Sequence, residues 1–303
     1  MKNLNICYFE NKTSEKYVYY QDIKNSIKKQ CSKFAEINSL ENLSESINQL
    51  RFIPDALVIG FGATDIGDKE LNDLEKLDIP KFIFLNKEYT RLDEKLSWIK
   101  RNNFESAFTV LGREEEFSEK SKTEFFRVNF AVNPKIYKTR RSNYKYDISF
   151  SGVIREEQDN NVRLRVMNEL FQDSYWYSKK IIFSSHMNNS QKEYARHLSQ
   201  SKVTFSSTGP ADIIGTRYFE VMATNKSVLL CNYRDNIYND LFTDKVNCLM
   251  FEHPSEIKKL FLEFVIPDET RTKILTNAYK NIVQNHTWDH RAQEVLNIIG
   301  MRM

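Results

Sequence analysis

Short uninterrupted apolar runs alternate, over the first 135 residues, with segments whose apolar residues recur every three or four positions. Uninterrupted runs are typical of strands buried on both faces, and the helical spacing predicts the helices that cover them. The predicted strands are residues 4–9, 34–37, 56–59, 81–85 and 107–111, and the predicted helices are residues 17–33, 40–50, 71–77 and 92–101. This order predicts a parallel sheet covered by helices.

A polar, basic segment, residues 133–143, interrupts this pattern. It predicts a solvated linker between an N-terminal domain, residues 1–138, and a C-terminal domain, residues 139–303. Its basic side chains leave peripheral contact with an anionic membrane surface open as an alternative.

The alternation then starts again. The predicted strands are residues 146–150, 180–184, 202–206, 227–231 and 248–251, and the predicted helices are residues 162–171, 191–199, 218–224, 255–264 and 270–299, the last of them broken near residue 286. The predicted fold class is therefore α/β, with two Rossmann-like domains whose parallel sheets face a central cleft. The last helix could also pack back on the first domain.

Composition narrows the class of protein. The 303 residues are 41% hydrophobic and carry 44 Lys and Arg against 41 Asp and Glu, which argues against a dedicated nucleic-acid binder. No run reaches the roughly 18 apolar residues of a membrane span, and the N-terminus makes a poor signal peptide, so a cytoplasmic location is expected. The four cysteines have no zinc-type spacing and are expected to be reduced and packed.

Two glycine-containing loops follow predicted strands, where ligands bind in open α/β sheets. The first, residues 60–67, lacks the dinucleotide-binding fingerprint but contains Asp65, a candidate general base. The second contains Ser151 and Gly152, beside which a phosphate or sugar could lie, with Arg155 as a source of charge. In both loops, a simple tight turn is an equally good interpretation.

The third loop is the most informative, because it is polar and leads directly into a helix. The free N–H groups at a helix start can hold a diphosphate without a metal. A nucleotide that donates a group in a transfer reaction could bind here through its diphosphate. The candidate donor-binding residues of this segment are Thr208, Gly209, Gly215, Thr216, Arg217 and Glu220. Arg217 would contact the diphosphate and Glu220 the ribose hydroxyls, unless the two form only a surface ion pair.

Other polar residues at predicted strand ends give weaker signals. Glu88 is a second candidate base, although a solvated glutamate explains it equally well. His186 could face the cleft as a further donor-binding residue, although a packed histidine is more common. His286 and His290 lie four residues apart but have no third ligand nearby in the sequence, so a role at a helix break or between domains is preferred to metal binding. No metal and no cofactor are expected.

Residues 216–230, TRYFEVMATNKSVLL, resemble the R-x-F-E-x-x-A-x-G-x-x-x-L signature of CgeB-like (spore maturation-type) glycosyltransferases. The segment from Thr270 to Arg291, with its phrase HTWDHR, resembles the closing element of that family, and residues 146–152, YDISFSG, resemble its entry to the second domain. The resemblance covers most of the C-terminal half and only a little of the N-terminal half.

The resemblance implies a GT-B fold, a nucleotide-sugar donor in the C-terminal domain and an acceptor held mainly by the N-terminal domain. It gives Glu220 the ribose and Arg217 the diphosphate. Two positions depart from the pattern: Asn225 stands where the family commonly has Gly, and Asp212 stands where retaining relatives carry a Glu. Asp212 is thus a third catalytic candidate, and the stereochemical outcome stays open.

The predicted reaction is metal-independent transfer of a sugar from a nucleoside diphosphate to a hydroxyl of a glycan, lipid or protein. In an inverting enzyme, Asp65 or Glu88 would deprotonate the acceptor. The alternatives are a nucleotide-sugar epimerase of the same fold, a two-domain ligand-binding protein, and a catalytically dead scaffold.

Overall fold

The structure is a computed structural model, and it describes residues 4–10, 18–37, 43–61, 74–152, 154, 161–184, 190–234, 237–238 and 241–303. Its strands are β1 (Asn5–Phe9), β2 (Lys33–Ile37), β3 (Ala56–Ile59), β4 (Lys81–Phe84), β5 (Ser106–Thr109), β6 (Glu124–Arg127), β7 (Tyr146–Ser151), β8 (Ile181–Ser184), β9 (Ser201–Ser206), β10 (Val228–Asn232) and β11 (Leu249–Phe251). Its α-helices are α1 (Val18–Gln30), α2 (Leu43–Asn48), α3 (Leu92–Arg101), α4 (Glu114–Ser121), α5 (Val162–Gln172), α6 (Gln191–Leu198), α7 (Thr216–Ala223), α8 (Glu256–Leu260), α9 (Asp268–Asn285) and α10 (Trp288–Arg302).

The chain divides into two units, one comprising residues 1–130 and 288–303 and the other residues 131–287. Each unit contains one parallel sheet, in the orders β2-β1-β3-β4-β5-β6 and β11-β10-β9-β7-β8. The predicted α/β class with two parallel sheets is confirmed.

In the first unit, strands β1, β3, β4 and β5 are almost wholly buried, because helices cover the sheet. The C-terminal helix α10 belongs to this unit and packs against α1. Lys29 Nζ lies 2.5 Å from a carboxylate oxygen of Asp289, and the Gln30 amide donates to the Asp289 carbonyl at 2.8 Å. The last 16 residues of the chain therefore belong to the first unit.

In the second unit, the core lies between the sheet and helices α5, α8 and α9, and includes Phe150, Trp176, Phe205 and Phe261. The first strand of this unit, β7, lies between β8 and β9. The direction of strand order therefore reverses between β7 and β9, which is the point where open α/β sheets bind ligands.

The basic segment predicted as a solvated linker packs, in part, on the second unit. Tyr137 is 4% exposed and its ring meets the ring of Tyr194 edge-on at 6.1 Å between centroids. Val132 pairs with Thr287, and its N–H donates to the His286 carbonyl at 3.1 Å. The prediction missed this packing because a single tyrosine among basic residues gives no periodic signal.

Most of the predicted helices and strands are present in the structure at nearly the predicted positions. The long C-terminal helix is broken where expected, since α9 ends at Asn285 and α10 begins at Trp288. The helix predicted at residues 71–77 is a short 3-10 turn, Leu74–Lys76, whose preceding residues lie outside the described ranges. No helix formed by the described residues is long and apolar enough to cross a membrane.

Candidate functional site

The carboxyl ends of β7 and β9 form the candidate site. The two strands pair in parallel, with Phe150 opposite Phe205, so that the segments that follow them emerge side by side. Ser151 ends the first strand and Gly152 follows it, and Ser206 ends the second strand. Since α7 follows the second of these segments, the loop sequence predicted to bind the donor lies at the reversal point of the sheet.

Helix α7 combines buried apolar side chains with an N-terminus that has no capping side chain. Tyr218, Phe219, Val221 and Met222 are buried and fix the helix against the unit. Its N-cap is Gly215, which has extended backbone and no side chain with which to cap the helix. The N–H groups of the first turn, which begins at Thr216, are therefore not satisfied by a capping side chain.

Arg217 lies in this first turn and is held over the end of β7. Its Nε donates to the Tyr194 hydroxyl at 2.9 Å, and its guanidinium carbon lies 5.9 Å from the centroid of the Phe150 ring. Burial acts to lower the pKa of Arg217, but the interactions with Tyr194 and Glu220 outweigh it, and the net pKa is raised. Arg217 thus remains fully charged in a partly desolvated position.

Gly152 makes room for that guanidinium. A Cβ at this position would lie 3.2 Å from Arg217 Nη1, 3.6 Å from Nη2 and 3.1 Å from Phe150 Cζ, and its φ is +152°. Any other residue would be strained here and would crowd the arginine. The glycine that the sequence singled out therefore lies against the two terminal nitrogens of Arg217.

Arg163, which the sequence analysis missed, brings a second guanidinium to the same ring. It lies in the first turn of α5, where Asn161 caps the helix, and its guanidinium carbon is 5.6 Å from the centroid of Phe150. Its Nε donates to Ser207 Oγ at 2.8 Å. Burial and then repulsion from Arg217 lower the pKa of Arg163.

Two like charges held on one aromatic ring are unfavourable unless something else stabilises them. Ser151, at the end of β7, is 2% exposed, and its Oγ has no hydrogen-bond partner among the described residues. Buried hydroxyls are nearly always hydrogen-bonded in folded proteins. The two guanidinia on the Phe150 ring define a place suited to an anion.

The loop between β9 and α7 is held by its own side chains. Thr208 Oγ1 donates to an Asp212 carboxylate oxygen at 3.2 Å, and the Gly209 N–H donates to the Ile213 carbonyl at 2.8 Å. Asp212 is in the left-handed region, with a φ of 59°, and its carboxylate lies 3.5 Å from Arg234 Nε. Asp212 therefore makes local contacts that stabilise the loop.

Glu220 lies three residues after Arg217 on α7, so the two side chains are neighbours on the helix surface. It is half-buried, and its charge raises the pKa values of both Arg217 and Tyr194. The arrangement brings an acidic group to the same edge of the sheet as the two arginines.

Glu88, by contrast, lies in the first unit. It is 2% exposed, and its Oε1 accepts hydrogen bonds from Thr109 Oγ1 at 3.0 Å and from the Val110 N–H at 3.2 Å. Burial raises the pKa of Glu88, although these hydrogen bonds partly offset it. The remaining predicted residues, Asp65, Arg155 and His186, lie outside the described residues.

The described residues contain no cluster of three His, Cys, Asp or Glu side chains that could hold a metal ion. All four cysteines are free thiols, and three of them are buried. The candidate site thus consists of guanidinium, hydroxyl, carboxylate and backbone N–H groups.

A sequence model of the glycosyl transferase-like family matches residues 141–297, just over half of the chain. By sequence alone, the chain has no significant match among curated proteins. Solved structures match it over nearly its whole length at low identity.

One of these similar structures is a glycosyltransferase from Rickettsia africae, with a TM-score of 0.66, 10% identity, and coverage of 100% of this chain and 99% of that one. Another is HepE from Anabaena in complex with UDP and glucose, with a TM-score of 0.65, 10% identity, and coverage of 98% and 100%. A third is the T4 phage BGT in complex with UDP-glucose, with a TM-score of 0.61, 12% identity, and coverage of 98% and 99%.

Fold and family together define an enzyme class, the glycosyltransferases with the GT-B fold. Within that class, the chain belongs to the glycosyl transferase-like family whose model covers the unit built from β7 to β11. The predicted GT-B fold and glycosyltransferase activity are confirmed, and the epimerase and ligand-binding alternatives are not favoured.

Proposed function

We propose that the enzyme binds the diphosphate of its nucleotide-sugar donor at the end of β7, between Arg163, Arg217 and the first turn of α7. Glu220 binds the ribose, and the sugar is transferred to a hydroxyl of a glycan, lipid or protein. Within its family, we place the enzyme with the CgeB-like glycosyltransferases, whose R-x-F-E phrase is represented by Arg217 to Glu220.

The observation that carries this proposal is the pair of guanidinia on the Phe150 ring at the end of β7. A diphosphate would relieve the repulsion between the two cations and supply hydrogen-bond acceptors to them. Guanidinium groups suit this task because they stay charged and bind phosphate oxygens through two parallel N–H donors.

The chemistry of transfer follows from the charge that develops on the leaving group. As the bond between the sugar and the donor breaks, negative charge accumulates on the departing diphosphate. Two fixed guanidinia and the N–H groups of a helix start stabilise that charge without reorganisation. Because these groups supply the positive charge, we propose that transfer proceeds without a metal ion.

The choice of nucleotide is guided by the similar structures. HepE and the T4 phage enzyme were both solved with UDP or UDP-glucose. UDP is therefore the first nucleotide to test, followed by GDP, ADP, CDP and dTDP. Among the three carboxylate candidates, Asp65 lies outside the described residues, Glu88 is buried, and Asp212 contacts Arg234, so we propose none of them as the catalytic base.

The first prediction concerns Arg163. Replacing it with alanine removes a charge-assisted contact to the diphosphate, which is worth roughly 1.5–3 kcal/mol. The Kd for UDP should therefore rise by about tenfold or more in Arg163→Ala, and the Kd for UMP should change much less. Isothermal titration with EDTA, and again with Mg²⁺, measures both and tests whether a metal contributes.

Arg165→Ala is the matched control, because Arg165 is an exposed arginine on the same helix and its loss changes the net charge equally. Its Kd for UDP should stay within about twofold of the parent value, as expected for a solvent-screened charge. The proposal fails if none of the five nucleoside diphosphates binds, or if the two variants weaken binding to the same extent.

The second prediction concerns Glu220. If its carboxylate accepts hydrogen bonds from the ribose hydroxyls, Glu220→Ala should raise the Kd for UDP by roughly tenfold or more. The parent enzyme should also bind 2′,3′-dideoxy-UDP weakly, and the variant should no longer distinguish the two nucleotides. Glu263→Ala, at an exposed glutamate of the same unit, serves as the control. Continued discrimination by Glu220→Ala would remove the ribose assignment.

A further inference from the structure

We propose that Tyr194 is a positioning residue: its hydroxyl holds Arg217 Nε, so that the terminal nitrogens of Arg217 stay beside Gly152, at the end of β7 where the donor diphosphate is proposed to bind. This inference rests on the proposed function. It assigns a role to a side chain from α6, a helix that neither the sequence motif nor the family resemblance singles out.

The geometry of Arg217 carries the inference. A guanidinium is planar, and its five N–H donors point in fixed directions. Once Nε donates to Tyr194 Oη at 2.9 Å, the plane can no longer turn freely about the side-chain axis. The two terminal nitrogens lie 3.2 and 3.6 Å from the position of a Cβ on Gly152, so they are held against the glycine that follows β7.

Tyr194 is itself firmly held. Helix α6 begins with a capping box, in which Ser190 and Glu193 exchange hydrogen bonds with each other's backbone N–H groups. Tyr194 follows directly, and its ring packs edge-on against the buried ring of Tyr137, with an interplanar angle of 83°. A side chain fixed in this way can orient a flexible arginine, because it loses little further freedom on contact.

A phenol suits the role better than a carboxylate would. Burial raises the pKa of Tyr194 to about 12, with Glu220 adding to the effect and Arg217 opposing it, so the hydroxyl is neutral at physiological pH. A carboxylate bonded to Nε would also fix the plane, but it would cancel much of the positive charge that Arg217 offers to a diphosphate. A neutral acceptor orients the guanidinium and leaves its charge intact.

A double-mutant cycle tests the inference, using Tyr194→Phe, Arg217→Lys and the double variant. Phenylalanine keeps the ring contact with Tyr137 and removes only the acceptor. We expect Tyr194→Phe to raise the Kd for UDP by about tenfold, the loss expected when a misaligned Arg217 gives up one charge-assisted hydrogen bond to the diphosphate. The Kd for UMP should change by less than about twofold.

The effect should vanish in the Arg217→Lys background, because lysine has neither an Nε–H donor nor a planar group to orient. A purely structural role for Tyr194 would instead raise the Kd equally in both backgrounds. Tyr177→Phe, which removes an exposed phenol hydroxyl from the same unit, should leave UDP binding unchanged. Thermal unfolding of every variant confirms that the titrated protein is folded.

The possible outcomes distinguish this inference from the diphosphate assignment on which it rests. If Arg217→Lys leaves UDP binding unchanged, the diphosphate assignment fails and the role of Tyr194 fails with it. If Arg217→Lys weakens UDP binding but Tyr194→Phe does not, only the positioning role is wrong. Additive effects of the two substitutions overturn it as well.

Discussion

Glu88 illustrates how one carboxylate can be interpreted in two ways. From sequence, it is a polar residue at a strand end and a candidate general base. In the structure, it is 2% exposed, and its Oε1 is bonded to Thr109 and to the Val110 N–H, at the end of β5. A base must reach the hydroxyl proton it removes. We therefore expect Glu88 to have a structural role in the first unit rather than to act on the acceptor.

This expectation predicts the pH dependence of Glu88→Gln. Burial raises the folded-state pKa of Glu88 above its usual 4.5, so the folded state holds the proton longer and the parent protein loses stability as the pH rises above that value. Glutamine does not ionise, and its amide oxygen can still accept both hydrogen bonds. The free energy of unfolding of the variant, relative to the parent, should thus be higher at pH 7 than at pH 4.

Urea unfolding at pH 4, 5.5 and 7 measures this difference. Glu119→Gln, at an exposed glutamate of the same unit, should give no such trend. Turnover adds an independent test, because loss of a general base lowers the rate by roughly 10²–10⁴-fold. Such a loss in Glu88→Gln, with UDP binding intact, would return Glu88 to the role that the sequence suggested.

The sequence indicated some residues of the candidate site and not others, for a physical reason. Gly152, Arg217 and Glu220 follow strands or open a helix, and their positions relative to those elements can be inferred from local patterns. Arg163 and Tyr194 reach the site from α5 and α6. Their proximity to Arg217 depends on the strand order and on how each helix packs, which one sequence does not reveal.

At the scale of elements, long apolar runs were predicted well and short polar elements were missed. The missed pair, α4 and β6, has little apolar surface: α4 buries only Phe117 and Ser121, and the burial pattern of β6 is that of a half-covered edge strand. A helix with one buried aromatic residue gives no period to detect. In the structure, tertiary contacts stabilise both elements, including a T-shaped contact between Phe117 and Phe125.

At the scale of the whole molecule, the C-terminal helix α10 belongs to the first unit. The position of the HTWDHR motif, residues 286–291, in the sequence places it in the predicted C-terminal domain. In the structure, Trp288 packs against Phe130, and Arg291 Nε donates to the Asn129 carbonyl at 3.0 Å. The sequence left both placements of the last helix open, because an amphipathic helix can bury its apolar face against either unit.

The last prediction therefore concerns Trp288, which is 5% exposed and begins α10. Replacing a buried tryptophan with alanine costs roughly 3–5 kcal/mol, because apolar surface is lost and a cavity is left. Trp288→Ala should lower the stability of the first unit and leave the donor-binding residues of the second in place. Hydrogen exchange should therefore quicken in β1 to β6 and α1, while β7 to β11 keep their protection and the Kd for UDP is unchanged.

Met301→Ala is the control, since Met301 lies on the same helix and is 72% exposed. A substitution at such a position usually changes stability by no more than about 0.5 kcal/mol. Faster exchange in both sheets of Trp288→Ala, by similar factors, would show instead that the two units open as one cooperative body. Uniform protection in both sheets would mean that α10 contributes little to the first unit, contrary to the buried contacts of Trp288 and Arg291.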